Sequence, residues 1–233
     1  MLSSILSEIQ GVLDDPKYTD PIVTKKINAA VLRIAGGILM PTGEFSPPLP
    51  DLYTYGTVNT SIILPYVSLP ADYQRSVFSV YDSSNYRIEP LRGGSYYAFS
   101  RFLSRASNKS LAETGSIYQV AVKGSKIYYQ GIPTASTTLG IHYYRKPVDM
   151  VLDTDEPDGL PDHLAEALIK HFVIKEIYGD TIEAGVSEPS RGMQYHTGKF
   201  FEALSDLVDF IGTDAEPQFY GSGGDFEDGG VCD

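Results

Sequence analysis

The stretch LGIHYYRKPVDM, Leu139 to Met150, sets a histidine, two tyrosines, an arginine and a lysine side by side, the densest group in the chain able to do chemistry or hold phosphate. Its alternation reads as a strand: Leu139, Ile141 and Tyr143 point one way, His142 and Tyr144 the other. Arg145-Lys146-Pro147 ends the ladder, because proline has no N–H to donate. Asp149, Asp153, Asp155 and Glu156 follow within ten residues of Lys146, which undercuts a phosphate grip. The stretch reads as the last strand of a sheet with a basic exit.

Other chemical candidates fare no better. The histidines are His142, His163, His171 and His196. A zinc-protease helix needs His-Glu-x-x-His; HLAEALIKH separates His163 and His171 by two helical turns, about 12 Å along the axis, too far for one ion. DTDEPDG, Asp153 to Gly159, invites a calcium loop, but the fifth position is Pro157, the sixth Asp158 and the twelfth Leu164, where oxygen ligands and glycine are needed. It reads as a solvated acidic turn before a helix. RGGSYY at Arg92 is a lone Gly-Gly turn, and no nucleophile elbow, P-loop or dinucleotide fingerprint occurs. The single cysteine, Cys232, allows neither an internal disulfide nor a cysteine zinc site. The sequence therefore predicts no catalytic residue, no metal and no cofactor.

The elements that would carry these residues follow from spacing. Leu2, Ile5, Leu6, Ile9, Val12 and Leu13 recur at helical period, and Asp15-Pro16 closes that helix. Asp20 as N-cap and Pro21 at the first position open a second, with Val23, Ile27, Ala30, Val31, Ile34 and Ile38 on one face and Pro41 at its end. EFSPPLPDLYTYGT is a proline-rich crossover. From Thr57 to Arg145 the period is two: Val58, Ile62, Leu64 and Tyr66 share a parity, as do Tyr118, Val120 and Val122, with hairpin turns at Gly124-Ser125 and at DSSN, Asp82 to Asn85. Helical period returns with Leu164, Ala167, Leu168, His171, Ile174 and Tyr178, then with Phe200, Phe201, Leu204, Leu207, Val208 and Ile211.

The fold class is α+β. Two N-terminal and two C-terminal helices form a discontinuous bundle (1–43 and 147–211) around a crossover and tyrosine-rich antiparallel β insertion (44–146). An acidic glycine-rich tail (212–233) follows. That tail holds six acids and no lysine or arginine, half of the chain's net charge of −12 over 233 residues. Such a composition orders only against a partner, with Phe219, Tyr220 and Phe226 as its anchors. The bulk charge opposes DNA binding through phosphates and suits a wall that a polyanion passes without adhering. With no basic apolar leader and no apolar run of about 18 residues, neither export nor a membrane span is expected.

Several motifs together carry a resemblance. They are DDPKYTDPIVTKKINAAVLRIAGGILMP after the opening helix, YVSLPADYQR leading into the sheet, and LGIHYYRKPVDM followed by LPDHLAEALIKHFVIKEIYGD leading out of it. Over about residues 2 to 180 the chain resembles the head–tail adaptor (connector, or head-completion) proteins of tailed bacteriophages, the group that includes podophage tail tubular protein A. The resemblance implies a structural virion protein without catalysis, assembled in the host cytoplasm and sited at the head–tail junction. It implies a ring of copies, commonly twelve, beneath the portal protein, extending a channel that genomic DNA traverses without specific binding. It also implies a tail or nozzle protein as partner and a C-terminal segment docked on portal or neighbour. Arg145 and Lys146 are then candidates to pair across a subunit contact with Asp225, Glu227 and Asp228. Two alternatives stand beside it: a tail-tube or tail-completion subunit, which needs an edge strand, and a carbohydrate-binding or hydrolase module using sheet tyrosines such as Tyr128 and Tyr143.

Overall fold

The computed structural model describes residues 1–88, 90–91, 113–183 and 190–212, and they fall into two units. Residues 1–52 and 146–212 form a helical unit; residues 53–145 form a β unit. The tail residues Phe219, Tyr220, Asp225, Phe226, Glu227 and Asp228, and the Arg92 turn, lie outside the described residues.

In the helical unit, α1 (Leu2–Leu13) buries Leu2, Ile5 and Ile9, whereas Val12 stays exposed. It stops where Asp14 turns left-handed and its N–H bonds back to the Gln10 carbonyl. The Gln10 side chain then spans the turn, donating to the Tyr18 carbonyl and to Asp20 Oδ1 at 2.8 Å. Thr19, not Asp20, is the N-cap of α2 (Asp20–Ala35), so Pro21 sits one place later than its spacing predicts. Asp20 instead occupies the first turn, where its charge favours the helix N-terminus. The face of Val23, Ile27, Ala30, Val31 and Ile34 is buried as the 3.6-residue period predicts.

Helix α2 ends at Ala35 rather than reaching Ile38, because Gly37 takes a φ of 89°. Leu39 then bridges Phe45, and buried Ser46 accepts the Ile38 N–H through its Oγ at 2.9 Å. The proline-rich residues 44–52 belong to this unit: Leu49 and Leu52 are buried, and Leu52 packs so closely on Gly159 that a Cβ there would lie 2.7 Å from it.

After the β unit the chain returns as α3 (Asp162–Glu183) and α4 (Ser190–Ile211). Helix α3 packs against α1, α2 and α4. That explains why its buried set, Ala165, Leu168, Ile169, Phe172, Val173, Ile174 and Ile177, is wider than one stripe and leaves Ala167 exposed. On α4, Phe200, Leu204 and Leu207 are buried as expected, joined by His196 and Ala203.

In the β unit, β1 (Tyr53–Asn59), β3 (Tyr73–Tyr81), β4 (Arg87–Ile88) and β8 (Thr138–Arg145) form one four-stranded sheet in the order β1-β8-β3-β4. The second is ordered β2-β7-β6-β5, from β2 (Tyr66–Ser68), β5 (Pro90–Leu91), β6 (Gln119–Lys123) and β7 (Lys126–Gln130). All pairs are antiparallel except β5 with β6. Val58, Val80, Leu139 and Ile141 from one sheet meet Val120, Ile127 and Tyr129 from the other in a shared core. Both expected hairpins are present. Gly124 adopts a φ of 59° between β6 and β7, and Asp82 Oδ1 accepts the Ser84 and Tyr86 N–H groups between β3 and β4. Ile62 and Leu64 are not strand residues; they sit exposed in a loop folded over Ser61, whose Oγ accepts the Ile63 and Leu64 N–H groups.

Candidate docking surface

The acidic turn that failed as a calcium loop has a structural task. Residues 146–161 link the last strand to α3, and side-chain carboxylates hold this connector by its backbone. Asp158 Oδ2 accepts the Val148 N–H at 2.8 Å, and Asp155 Oδ2 accepts those of Val151 and Leu152 at 2.7 and 2.8 Å. These two N–H donors hold the Asp155 carboxyl below the usual aspartate range. The carbonyls of Asp155 and Asp153 in turn accept the N–H groups of Leu2 and Ser3, satisfying the open donors at the start of α1. The turn is solvated, as its composition predicts, and also serves as a hydrogen-bonded clasp. Asn28 of α2 completes it: Met150 N–H donates to Asn28 Oδ1 at 2.9 Å, and Asn28 Nδ2 returns a bond to the Met150 carbonyl at 3.0 Å.

Between α1, α2 and this connector lies a groove of about 800 Å³. Buried Leu2 and Met150 line its floor; Leu6, Ala29, Leu32 and Val151 line its walls. Beside it the connector leaves Val148, Val151 and Leu152 bare, Val151 at 77% exposure. Isolated exposed apolar residues are ordinary, but a run of them along a groove with an apolar floor marks an interaction site. The helical periods located these helices; they did not reveal the groove, because one wall is a non-periodic connector whose shape comes from Asn28, Asp155 and Asp158. The signal in the sequence was VDMVLD, an apolar run with no periodic partner.

The histidines divide between the units. His171 of α3 and His196 of α4 meet with Nδ1 atoms 2.8 Å apart, so one ring donates and the other accepts. Tyr178 and Tyr195 pack on His196. Burial pushes both imidazoles below their ordinary value. For His196 the neighbouring His171 and Lys170 add to this; for His171, Lys170 and Lys199 lower it while Glu202 and Glu8 oppose them. The unfolded chain takes up protons near pH 6.5, as free imidazole does, and the folded pair resists them. This stabilisation is thus present above about pH 6.5 and is lost as pH falls through and below it. Thermal melts from about pH 7.5 to about 5.5 should show a falling midpoint, with a shallower fall in His196→Gln; equal slopes in both proteins would remove the pair as the cause.

In the β unit, Tyr53, Tyr55 and Tyr81 surround His142 on one face of the sheet. Tyr53 stacks on the imidazole at 5.5 Å, and its hydroxyl lies 2.9 Å from His142 Nδ1. Burial pushes the His142 pKa down. Tyr143 lies on the opposite, core face at 3% exposure, under Gly56 and bonded to Asp72 at 2.7 Å, so it presents no binding surface. Burial, followed by that bond, pushes its hydroxyl up to about 12. Tyr128 sits on the second sheet against Tyr66. Arg145 is half-buried at the end of β8, opposite Tyr73, and Lys146 is exposed at the start of the connector. Their acidic counterparts lie outside the described residues, so no such pair forms part of the described geometry.

The α+β architecture combines helices bordering a groove with a β unit whose tyrosine hydroxyls bond to His142, Gln130, Asp72 and the Ser61 loop. The family model for the SU10 adaptor protein matches residues 2–222, and the chain belongs to that family. It is accordingly a bacteriophage adaptor with a structural role in the virion, in line with the adaptor resemblance of its motifs. The narrower likeness to podophage tail tubular protein A gains no support from this match. Among curated proteins no match was found.

Proposed function

We propose that the protein is a head–tail adaptor whose copies form a ring, twelvefold in its simplest form, beneath the portal protein, extending the DNA channel and receiving the tail or nozzle protein. The family match over nearly the whole chain carries this reading. Two physical features support it. A groove flanked by the exposed apolar side chains of Leu32 and Val151 suits a protein that docks on a partner. A charge of −12 per copy, multiplied around a ring, gives a lumen along which DNA phosphates slide without adhering. In this reading Phe219, Tyr220 and Phe226 anchor the C-terminal segment on the portal or a neighbour, and Arg145 and Lys146 face Asp225, Glu227 or Asp228 of an adjacent copy.

Mixed with its portal, the full chain should give a ring complex by mass measurement and electron microscopy. Removing residues 212–233 should weaken docking at least about tenfold, an interfacial loss of about 1.4 kcal/mol or more. Reversing charge at both Arg145 and Lys146 should impair assembly. A full-length chain that stays monomeric beside intact portal, with no change on truncation, would sink the proposal. The tail-completion alternative has one feature in its favour: among the described residues β1 pairs only with β8, so it is an edge strand open to pairing with another chain.

A further inference from the structure

We infer that the groove between α1, α2 and the connector receives an extended, apolar segment carrying lysine or arginine from a different protein, not the chain's own tail and not a second copy. The inference names an occupant for the docking groove already described and does not depend on ring formation or on which virion protein supplies the segment.

Charge decides among the occupants. The groove's charged residues are Asp20, Asp149, Asp153 and Lys25, three acids against one base. Asp20 is already oriented by Gln10 and Asp149 is exposed, so the acids sit around apolar floor and walls in the arrangement that attracts a cation on an apolar stem. The chain's own C-terminal segment, with six acids and no lysine or arginine, would bring like charge to that rim.

A second copy fits no better. Each copy carries a net charge of −12, so a second copy brings like charge to a rim of three acids and one base.

The groove is also built before its occupant arrives. Both backbone groups of Met150 are bonded to Asn28, and Val151 and Leu152 are held by Asp155, so the wall is fixed in its open form. A segment binding there loses its own freedom but orders little of the protein, which favours a short extended ligand.

The test uses the full chain and two acetylated ten-residue peptides, one alternating leucine with lysine and the other leucine with glutamate, followed by fluorescence anisotropy at about 0.15 M salt. The lysine peptide should bind and the glutamate peptide should not. Ala29→Trp, an exposed α2 position facing the groove, fills the site and should weaken binding at least tenfold. The double variant Asp149→Lys with Asp153→Lys should weaken it similarly and shift preference to the glutamate peptide; circular dichroism of both variants checks that they fold. Equal binding of both peptides, no binding at all, or no effect of Ala29→Trp overturns the inference. So does self-association of the parent chain that Ala29→Trp abolishes, since the occupant would then be a second copy. Ring assembly on the portal is scored separately, so the groove inference can fail while the adaptor reading stands.

Discussion

Gly131→Ala should destabilise the β unit by about 3–5 kcal/mol, the sum of positive-φ strain and a backbone clash that no rotamer relieves. Gly131 sits at a φ of 33°, and a Cβ placed there would lie 2.6 Å from the Ser116 carbonyl oxygen and 2.9 Å from the Gly115 carbonyl carbon. These are backbone atoms in a segment bonded on both sides of the glycine. Tyr118 N–H donates to the Gln130 carbonyl, Ile132 N–H to Glu113, and Gly115 N–H to Ile132. Making room means breaking some of those bonds and shifting buried Ile132. Gly124→Ala is the matched control: its φ is 59° but nothing lies within 4 Å of the added carbon, so only strain remains, about 1 kcal/mol. Urea denaturation of the parent and both variants, followed by tyrosine fluorescence, separates the two costs. Equal midpoints for the two variants would show that the close approach at Gly131 is not rigid.

The elements were legible where one residue's environment is set by its neighbours in sequence. Leu139, Ile141 and Tyr143 alternate into the core, and Val23, Ile27, Ala30, Val31 and Ile34 face inward on α2, because a strand of period two and a helix of period 3.6 offer one buried face. Asp82 to Asn85 and Gly124 announced their turns through local chemistry alone. Legibility failed where distant residues decide. Ile62 and Leu64 keep strand parity but fold over Ser61, and Tyr144 lies on the outer parity yet is buried. Asp20 looks like a cap but is held by Gln10 from the preceding helix. The groove was the least legible feature of all. Its wall depends on Asn28 reaching 122 residues along the chain to Met150, a pairing that no period or motif encodes. The basic pair at the end of LGIHYYRKPVDM stands out for its chemistry, whereas Asp149, Met150 and Val151, just beyond it, line the groove.

That long-range clamp gives the second large effect. Asn28→Leu keeps the branched side-chain shape but removes both partners of the Met150 backbone. Met150 is buried, so its N–H and C=O would lose their bonds without reaching water, at a cost of about 1–3 kcal/mol each. A net loss of about 2–4 kcal/mol is expected in the helical unit, since part is recovered as the connector loosens toward solvent. The loosening is itself measurable. Val151 and Leu152 would still be held by Asp155, but the anchor joining the connector to α2 would be gone, and Asp153 and Asp155 also cap α1. Amide hydrogen exchange should therefore quicken at residues 148–153 and at Leu2 and Ser3, well ahead of the α3 core around Ile169 and Val173. The lysine peptide should bind more weakly to Asn28→Leu than to the parent, because ordering the wall then falls to the ligand. If exchange at the connector and peptide affinity both stay at parent values, Asn28 does not set the wall, and the groove owes its shape to Asp155 and Asp158 alone.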